Sequence, residues 1–205
     1  LATLHRVRID REFDAALREA GLWPLRATGI EILQINVGKL GFLAEFSLEE
    51  FRDCFDQAIS DDTLISRRMA LDVTMRHNGE EPVGCSALND CVIQAGPPFR
   101  PVTLGVFVDG LPLTEVSGDG LIVCTPSGST AHNLSAGGPI LQQGVEAIVL
   151  TPLAPHSLTH RPLVIECDST IEVRASETNE GTTAIIDGQH NAILAWVDQQ
   201  HRHDK

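Results

Sequence analysis

The chain has 205 residues, 42% of them hydrophobic, and a formal net charge of −13 at pH 7. That length can bury a substantial core in one large or two small domains, and no apolar run approaches the roughly 20 residues that span a bilayer. The acidic balance excludes a broad basic face for nucleic acid or an anionic membrane, so an anionic ligand must be held by local devices: backbone N–H groups, a single Arg or a metal ion.

The predicted elements begin with two helices. Asp10 caps a segment with Phe13, Ala16, Leu17 and Ala20 on one face and Gly21 at its end, and Ser47 with Glu50 forms a capping box that opens a helix with Leu48, Phe51 and Phe55 inward. Between them, Ile30–Val37 reads as a buried strand that runs into the Gly-rich segment Asn36-Val-Gly-Lys-Leu-Gly-Phe42. Strand, Gly-rich turn and helix are the grammar of an α/β layer. After residue 62 the pattern changes: Ile65, Arg67, Met69, Leu71, Val73 and Met75 alternate with Ser, Arg, Ala, Asp and Thr, the period of a half-buried strand. Asn78-Gly79 then supplies a hairpin turn. The alternation returns at Val102, Leu104, Val106 and Val108 before the turn Asp109-Gly110, and further strands are expected at Leu121–Val123, Ala147–Leu150, Leu163–Glu166, Thr170–Arg174, Thr183–Ile186 and Ala192–Val197. Such short, closely spaced strands suit a sandwich. The expected fold is α+β: an N-terminal α/β domain over 1–62 and a β-rich, sandwich-like C-terminal domain over 63–205.

Five cysteines are scattered without C-x-x-C spacing, which fits reduced thiols and a cytoplasmic protein. The N-terminal residues carry no signal-peptide core. His156 and His160 lie four apart, but Pro152, Pro155 and Pro162 forbid a shared helical face, so no zinc site is expected.

Chemistry concentrates in Gly118–Pro139, where five glycines and a run of Ser and Thr hydroxyls surround a short apolar strand. Glycine lets a ligand approach the main chain, and hydroxyls donate and accept, a combination suited to the ribose and phosphates of a nucleotide. The segment has neither the P-loop nor the Rossmann pattern. Upstream, Asn89-Asp90 at a strand start can accept from a ribose diol and read a base edge, or form a plain Asx turn. Asp119, Arg100 and Gln189 read singly as a turn residue, a solvated loop charge and a hairpin residue.

Their joint order resembles the NAD kinase family (ATP/polyphosphate-NAD kinase). Asn36-Val-Gly-Lys-Leu-Gly-Phe-Leu43, Asn89-Asp90, Gly118-Asp-Gly120, Thr125-Pro-Ser-Gly-Ser-Thr-Ala131, Leu134-Ser-Ala-Gly-Gly-Pro139, Ala147-Ile-Val-Leu-Thr-Pro152 and Arg161-Pro-Leu163 match family landmarks in sequence over residues 30–190. The resemblance implies an enzyme that phosphorylates the 2′-hydroxyl of the adenosine ribose of NAD with ATP, giving NADP. It implies that Asn89 and Asp90 hold the ribose and base, that Arg100 is a basic ligand contact, and that Asp119 meets the nicotinamide end within its own or a neighbouring subunit. Thr130, Ala131, His132, Asn133, Leu134 and Ser135 are implied to line the dinucleotide site, with Gln189 a late contact. Phosphates are left to backbone N–H groups and Mg²⁺ brought with ATP, and a homo-oligomer, dimer or tetramer, is implied.

The chain also departs from the family pattern. Asp90 stands where the family usually has Glu, His132 where it usually has Tyr, and Ser117 where many relatives carry Arg. The family's Gly-Gly-Asp-Gly segment, whose Asp is the expected base, belongs upstream of Asn36 and is absent from residues 1–35. No catalytic residue is therefore expected in this chain, and its N-terminal domain is expected to be incomplete. The alternatives are a non-catalytic NAD(P)-binding module and a related lipid kinase, the latter disfavoured by the match of Thr125–Pro139.

Overall fold

The computed structural model describes residues 6–9, 30–33, 52–53, 65–76, 81–157, 159–179, 181–188 and 190–193. The chain divides into two compact units, Leu1–Ala70 and Leu71–Lys205. In the first, β1 (Arg6–Ile9) pairs antiparallel with β2 (Ile30–Leu33) and parallel with β3 (Ile65–Arg67), giving a three-stranded mixed sheet of order β2-β1-β3. β2 lies within the expected strand 30–37. The expected helix from Asp10, the segment Asn36–Phe42 and most of the helix from Ser47 lie outside the described residues, although Arg52 and Asp53 are helical.

The alternating run 65–76 is not one strand. It breaks at Arg68–Ala70, and only its second half, β4 (Leu71–Met75), enters the second unit, where it forms a hairpin with β5 (Val83–Ala87). A period of two marks extended backbone on either side of a break but not the break itself. The expected hairpin residues 77–80 lie outside the described residues.

The rest of the second unit is built from β6 (Asp90–Gln94), β7 (Val102–Val108), β8 (Leu111–Gly118), β9 (Gly120–Cys124), β10 (Ala147–Leu153), β11 (Leu163–Glu166), β12 (Ile171–Glu177), β13 (Thr183–Ile186) and β14 (His190–Ile193). They make a six-stranded sheet of order β11-β10-β9-β6-β13-β14 and a three-stranded sheet of order β12-β7-β8, antiparallel throughout. Ile93, Val102, Leu104, Val106, Val116, Leu121 and Leu150 form one core cluster drawn from both sheets. This is the β-rich, sandwich-like architecture expected from the sequence. Val102, Leu104 and Val106 are buried in alternation with half-buried neighbours along β7, as their spacing predicts.

The central strands β6, β9 and β10 are buried on both faces. Their second face carries Val92, Ile122, Cys124 and Val149, packed against Ala136 and Leu141 of the chain between β9 and β10. Two-sided burial explains why Cys91–Ile93 and Ala147–Leu150 read as continuous apolar runs rather than alternating ones. β8 escaped the sequence pattern for the opposite reason. A bulge shifts its register against β7, it is an edge strand, and Leu111, Pro112 and Leu113 are all exposed. Proline is tolerated at such an edge, where its missing N–H breaks no ladder.

The chain crosses from one sheet to the other at Asp119–Gly120. The Asp119 N–H donates to the Leu153 carbonyl at 2.9 Å, its carbonyl accepts from the Ala95 N–H at 2.8 Å, and a Cβ on Gly120 would lie 2.0 Å from the Ile93 carbonyl oxygen. Only glycine fits that crossing. Leu104 is fully buried whereas Leu111 is 72% exposed. Leu104→Ala is expected to cost about 2–5 kcal/mol and Leu111→Ala less than about 0.5 kcal/mol, measured by denaturant unfolding followed by far-UV circular dichroism.

Candidate functional site

The segment after β9 turns back onto the start of β6. Thr125 is fully buried. Its hydroxyl donates to the Leu88 carbonyl at 2.6 Å and accepts from the Gly128 N–H at 3.1 Å, while its N–H donates to the Asn89 carbonyl at 2.9 Å. A single Thr thus binds Leu88–Asn89 and starts the 3-10 turn Gly128–Thr130. That turn is pressed against Asn89, since a Cβ on Gly128 would lie 2.0 Å from the Asn89 carbonyl oxygen. The one-turn helix α1 (His132–Ser135) follows.

The other side of the same backbone is held from the far end of the unit. The Asp187 carboxylate accepts from the Leu88 N–H at 2.8 Å through Oδ2, and from the Asn89 and Asp90 N–H groups at 2.8 and 3.0 Å through Oδ1. The Asp187 N–H in turn donates to the Asp90 carbonyl at 3.0 Å. Asp187 and Gly188, just after β13, have φ of +47° and +68°, the positive region that turn residues such as Asp and Gly adopt most readily, so the chain reversal that follows β13 also delivers the clamp. All three N–H groups and all three carbonyls of Leu88–Asp90 are satisfied, which fixes the backbone that carries the two side chains.

Neither side chain accepts a hydrogen bond from the described residues. Asn89 Oδ1 is buried with no hydrogen-bond partner among the described residues. Asp90 is 5% exposed and lies on the second face of the six-stranded sheet, in line with Val92 and directly across from Cys124. Burial first and the Asp187 carboxylate second raise its carboxyl above the ordinary carboxylate range, while His132 pulls it back. A buried carboxylate with so little compensation is a mark of a binding or catalytic position rather than a stabilising one.

The expected site residues fall into two groups. Asn89, Asp90, Thr130, Ala131, His132, Leu134 and Ser135 belong to one end of β6 and β9, with His132, Leu134 and Ser135 exposed. Asp119 and Arg100, both exposed, belong to the other end, because Ala95 bonds to Asp119 and Val102 pairs with Gly118. Ala95 lies five positions beyond Asp90, about 16 Å of extended rise. Gln189 lies outside the described residues.

Asn133 differs from its neighbours. It is fully buried, its Nδ2 donates to the Ser129 and Pro139 carbonyls at 3.0 and 2.9 Å, and its Oδ1 accepts from the Thr151 hydroxyl at 2.6 Å. Its side chain ties the wall to β10 and presents nothing outward. Asp187, Thr125 and Thr151 are the positioning residues that spacing did not reveal. Asp187 acts across 97 to 99 positions, and its Asp-Gly context signals only a turn.

Of the four cysteines described, all are free; Cys91 and Cys124 are buried, and burial pushes both thiols up to about 12. They are packing residues, and Cys54 lies outside the described residues.

Two outcomes follow from this geometry. Asn133→Ala leaves two carbonyls and a hydroxyl unpartnered, so a loss of about 3 kcal/mol is expected, with a non-additive cycle against Thr151→Val. Because folding raises the pKa of Asp90, its ionisation penalises the folded state only above the unfolded value, near 3.8. Asp90→Asn should therefore melt higher than the parent at pH 7, with the gain shrinking as the pH falls toward that value; an unchanged or lower melting temperature at pH 7 contradicts the assignment.

A family model described as the ATP-NAD kinase C-terminal domain matches residues 88–201, more than half of the chain. The NAD kinase of Rhodopirellula baltica is 45% identical over 158 residues, covering 77% of this chain and 51% of that protein. The NAD kinase of Geobacter sulfurreducens is 40% identical over 172 residues, covering 84% of this chain and 61% of that protein. Among solved structures, yeast NADH kinase complexed with NADH aligns at a TM-score of 0.73 and 32% identity, over 80% of this chain and 47% of that one. An NAD kinase from Archaeoglobus fulgidus in complex with ATP aligns at 0.66 and 28%, over 78% and 60%. The chain spans about half of the length of its R. baltica relative and about three fifths of its G. sulfurreducens relative. On the family match, and with the segments Asn89-Asp90 and Thr125–Pro139 packed together in one wall, this chain belongs to the NAD kinase family.

Proposed function

We propose that this chain supplies the dinucleotide-binding part of an NAD kinase, in which ATP phosphorylates the 2′-hydroxyl of the adenosine ribose of NAD to give NADP. The observation that carries the reading is a pair of acceptors on a fixed backbone: Asn89 Oδ1, buried with no hydrogen-bond partner among the described residues, and the buried Asp90 carboxylate. A phosphate offers only acceptors, and its charge would be repelled here. A ribose diol and an exocyclic amine offer the donors that both groups lack. The yeast NADH kinase complexed with NADH and the A. fulgidus NAD kinase in complex with ATP agree with that chemistry.

In this reading Asn89 and Asp90 receive the adenosine, and Asp90 orients its ribose hydroxyls by accepting from them. Thr130, Ala131, His132, Leu134 and Ser135 line the wall, and Asn133 holds that wall in place rather than touching the ligand. Asp119 and Arg100, about 16 Å along the strand, serve the far end of the dinucleotide or that of a neighbouring subunit in a homo-oligomeric dimer or tetramer. Gln189 remains a late contact. Among the described residues no group of three His, Cys, Asp or Glu could hold a metal ion, so Mg²⁺ is taken to arrive on the phosphates of ATP as part of that substrate. The reading assigns no base to these residues. They bind and orient the acceptor hydroxyl. A cytoplasmic location is consistent with the free thiols.

The test is calorimetric titration of the chain with NAD. Binding should saturate below about 1 mM, the upper range of enzyme KM values. Asp90→Ala should weaken it about tenfold or more, and Arg100→Ala less. Absence of binding by the parent protein at millimolar NAD overturns the reading.

A further inference from the structure

Three successive backbone N–H groups converging on one acceptor make the kind of nest with which proteins hold phosphate. At Leu88, Asn89 and Asp90 that nest is filled by the protein's own Asp187 carboxylate, at 2.8 to 3.0 Å. We propose that Asp187 is a positioning residue acting as a resident anion: it occupies an anion cradle, fixes Asn89 and Asp90, and so reserves this corner for the uncharged ribose rather than a phosphate of the nucleotide. The proposal rests on the dinucleotide reading for its ligand but not for its geometry.

The placement follows from the fold. β13 pairs with β6 so that Ile186 lies opposite Cys91, and Asp187, the residue after β13, therefore arrives beside Asp90, to whose carbonyl its N–H donates. The Asp187 carboxylate is directed back at the β6 entry, where its two oxygens are shared by three donors. The carbonyls of Leu88 and Asn89 are already taken by Thr125, so the stretch can neither rotate away nor exchange its donors for other protein groups. With Asp187 in place, a phosphate finds the cradle full and two carboxylates, Asp90 and Asp187, beside it. Among the described residues, His132 is the basic side chain that offsets the charge on Asp90. A diol, bringing donors and no charge, meets no such barrier.

Charge-assisted hydrogen bonds are about twice as strong as neutral ones. Asp187→Asn turns one acceptor oxygen into a donor facing an N–H and neutralises the other, so NAD affinity should fall about tenfold. Hydrogen exchange at the amides of Leu88, Asn89 and Asp90 should accelerate in the same variant without ligand. Asp187→Ala empties the cradle; it should bind formate or inorganic phosphate where the parent does not, and formate, unlike chloride, should restore part of its NAD affinity.

NAD affinity within twofold of the parent in Asp187→Asn overturns the proposal. Weakened affinity with unchanged exchange at the three amides overturns it too, since Asp187 would then act by touching the ligand. If neither variant folds, the parent decides: rapid exchange at these three amides in the unliganded protein is incompatible with the clamp. A parent that shows protected amides but binds no NAD would sink the dinucleotide reading and leave the resident anion standing.

Discussion

One carboxylate closes the second unit on itself. Asp187 lies in the turn between β13 and β14, yet it holds the entry to β6 almost a hundred residues earlier, through three N–H donors at 2.8 to 3.0 Å. The opposite edge of that entry is held by Thr125, at the exit of β9. Without the two clamps, Leu88–Asp90 would be a loop with six orphan backbone groups beside a buried carboxylate, and buried polar backbone does not persist unpaired. The Gly128 turn packs on Asn89, and Asn133 ties the following wall to Thr151 of β10. The candidate site thus stands on strands of the six-stranded sheet rather than on free loops, and its backbone is fixed before any ligand is bound.

Stability and binding pull in opposite directions here. The sandwich core supplies the favourable term through fully buried aliphatics such as Leu104, Val106 and Val149. The site works against it. Asp90 is buried next to a second carboxylate, and Asn89 keeps a buried acceptor unpaired among the described residues. Each of these is unfavourable in the empty protein, and under the proposed function a donor-bearing ligand offsets it. Asn133 shows the contrast within the same stretch, since its amide is spent wholly on internal partners and lends rigidity rather than recognition.

Strand β7 was legible because its alternation survives intact between a core and a half-exposed face, and β11 and β13 were legible to the residue because turns bound them closely. The run 65–76 was misread as one strand because a break at Arg68–Ala70 does not disturb the period on either side. β8 was invisible because a bulge and an edge position remove the alternation. The candidate site was readable in part. Asn89, Asp90 and the hydroxyl-rich stretch announce themselves by chemistry and by their resemblance to NAD kinases. That Asn133 faces inward and its neighbours outward was not readable, since a short 3-10 turn followed by a single helical turn has no period long enough to assign faces.

The sequence by itself determined the family, the β-rich character of the second unit and the segments that carry the site, because these depend on composition, local periodicity and ordered motifs. Only the tertiary structure decided which residues brace the candidate site. Asp187 and Gly188 spell a turn in one dimension. Their carboxylate becomes a clamp only because β13 pairs with β6 in a register that brings it opposite Asp90. The physical reason is distance along the chain: local energetics fix strands and turns, whereas a hydrogen bond spanning nearly a hundred residues exists only after the sheet has formed.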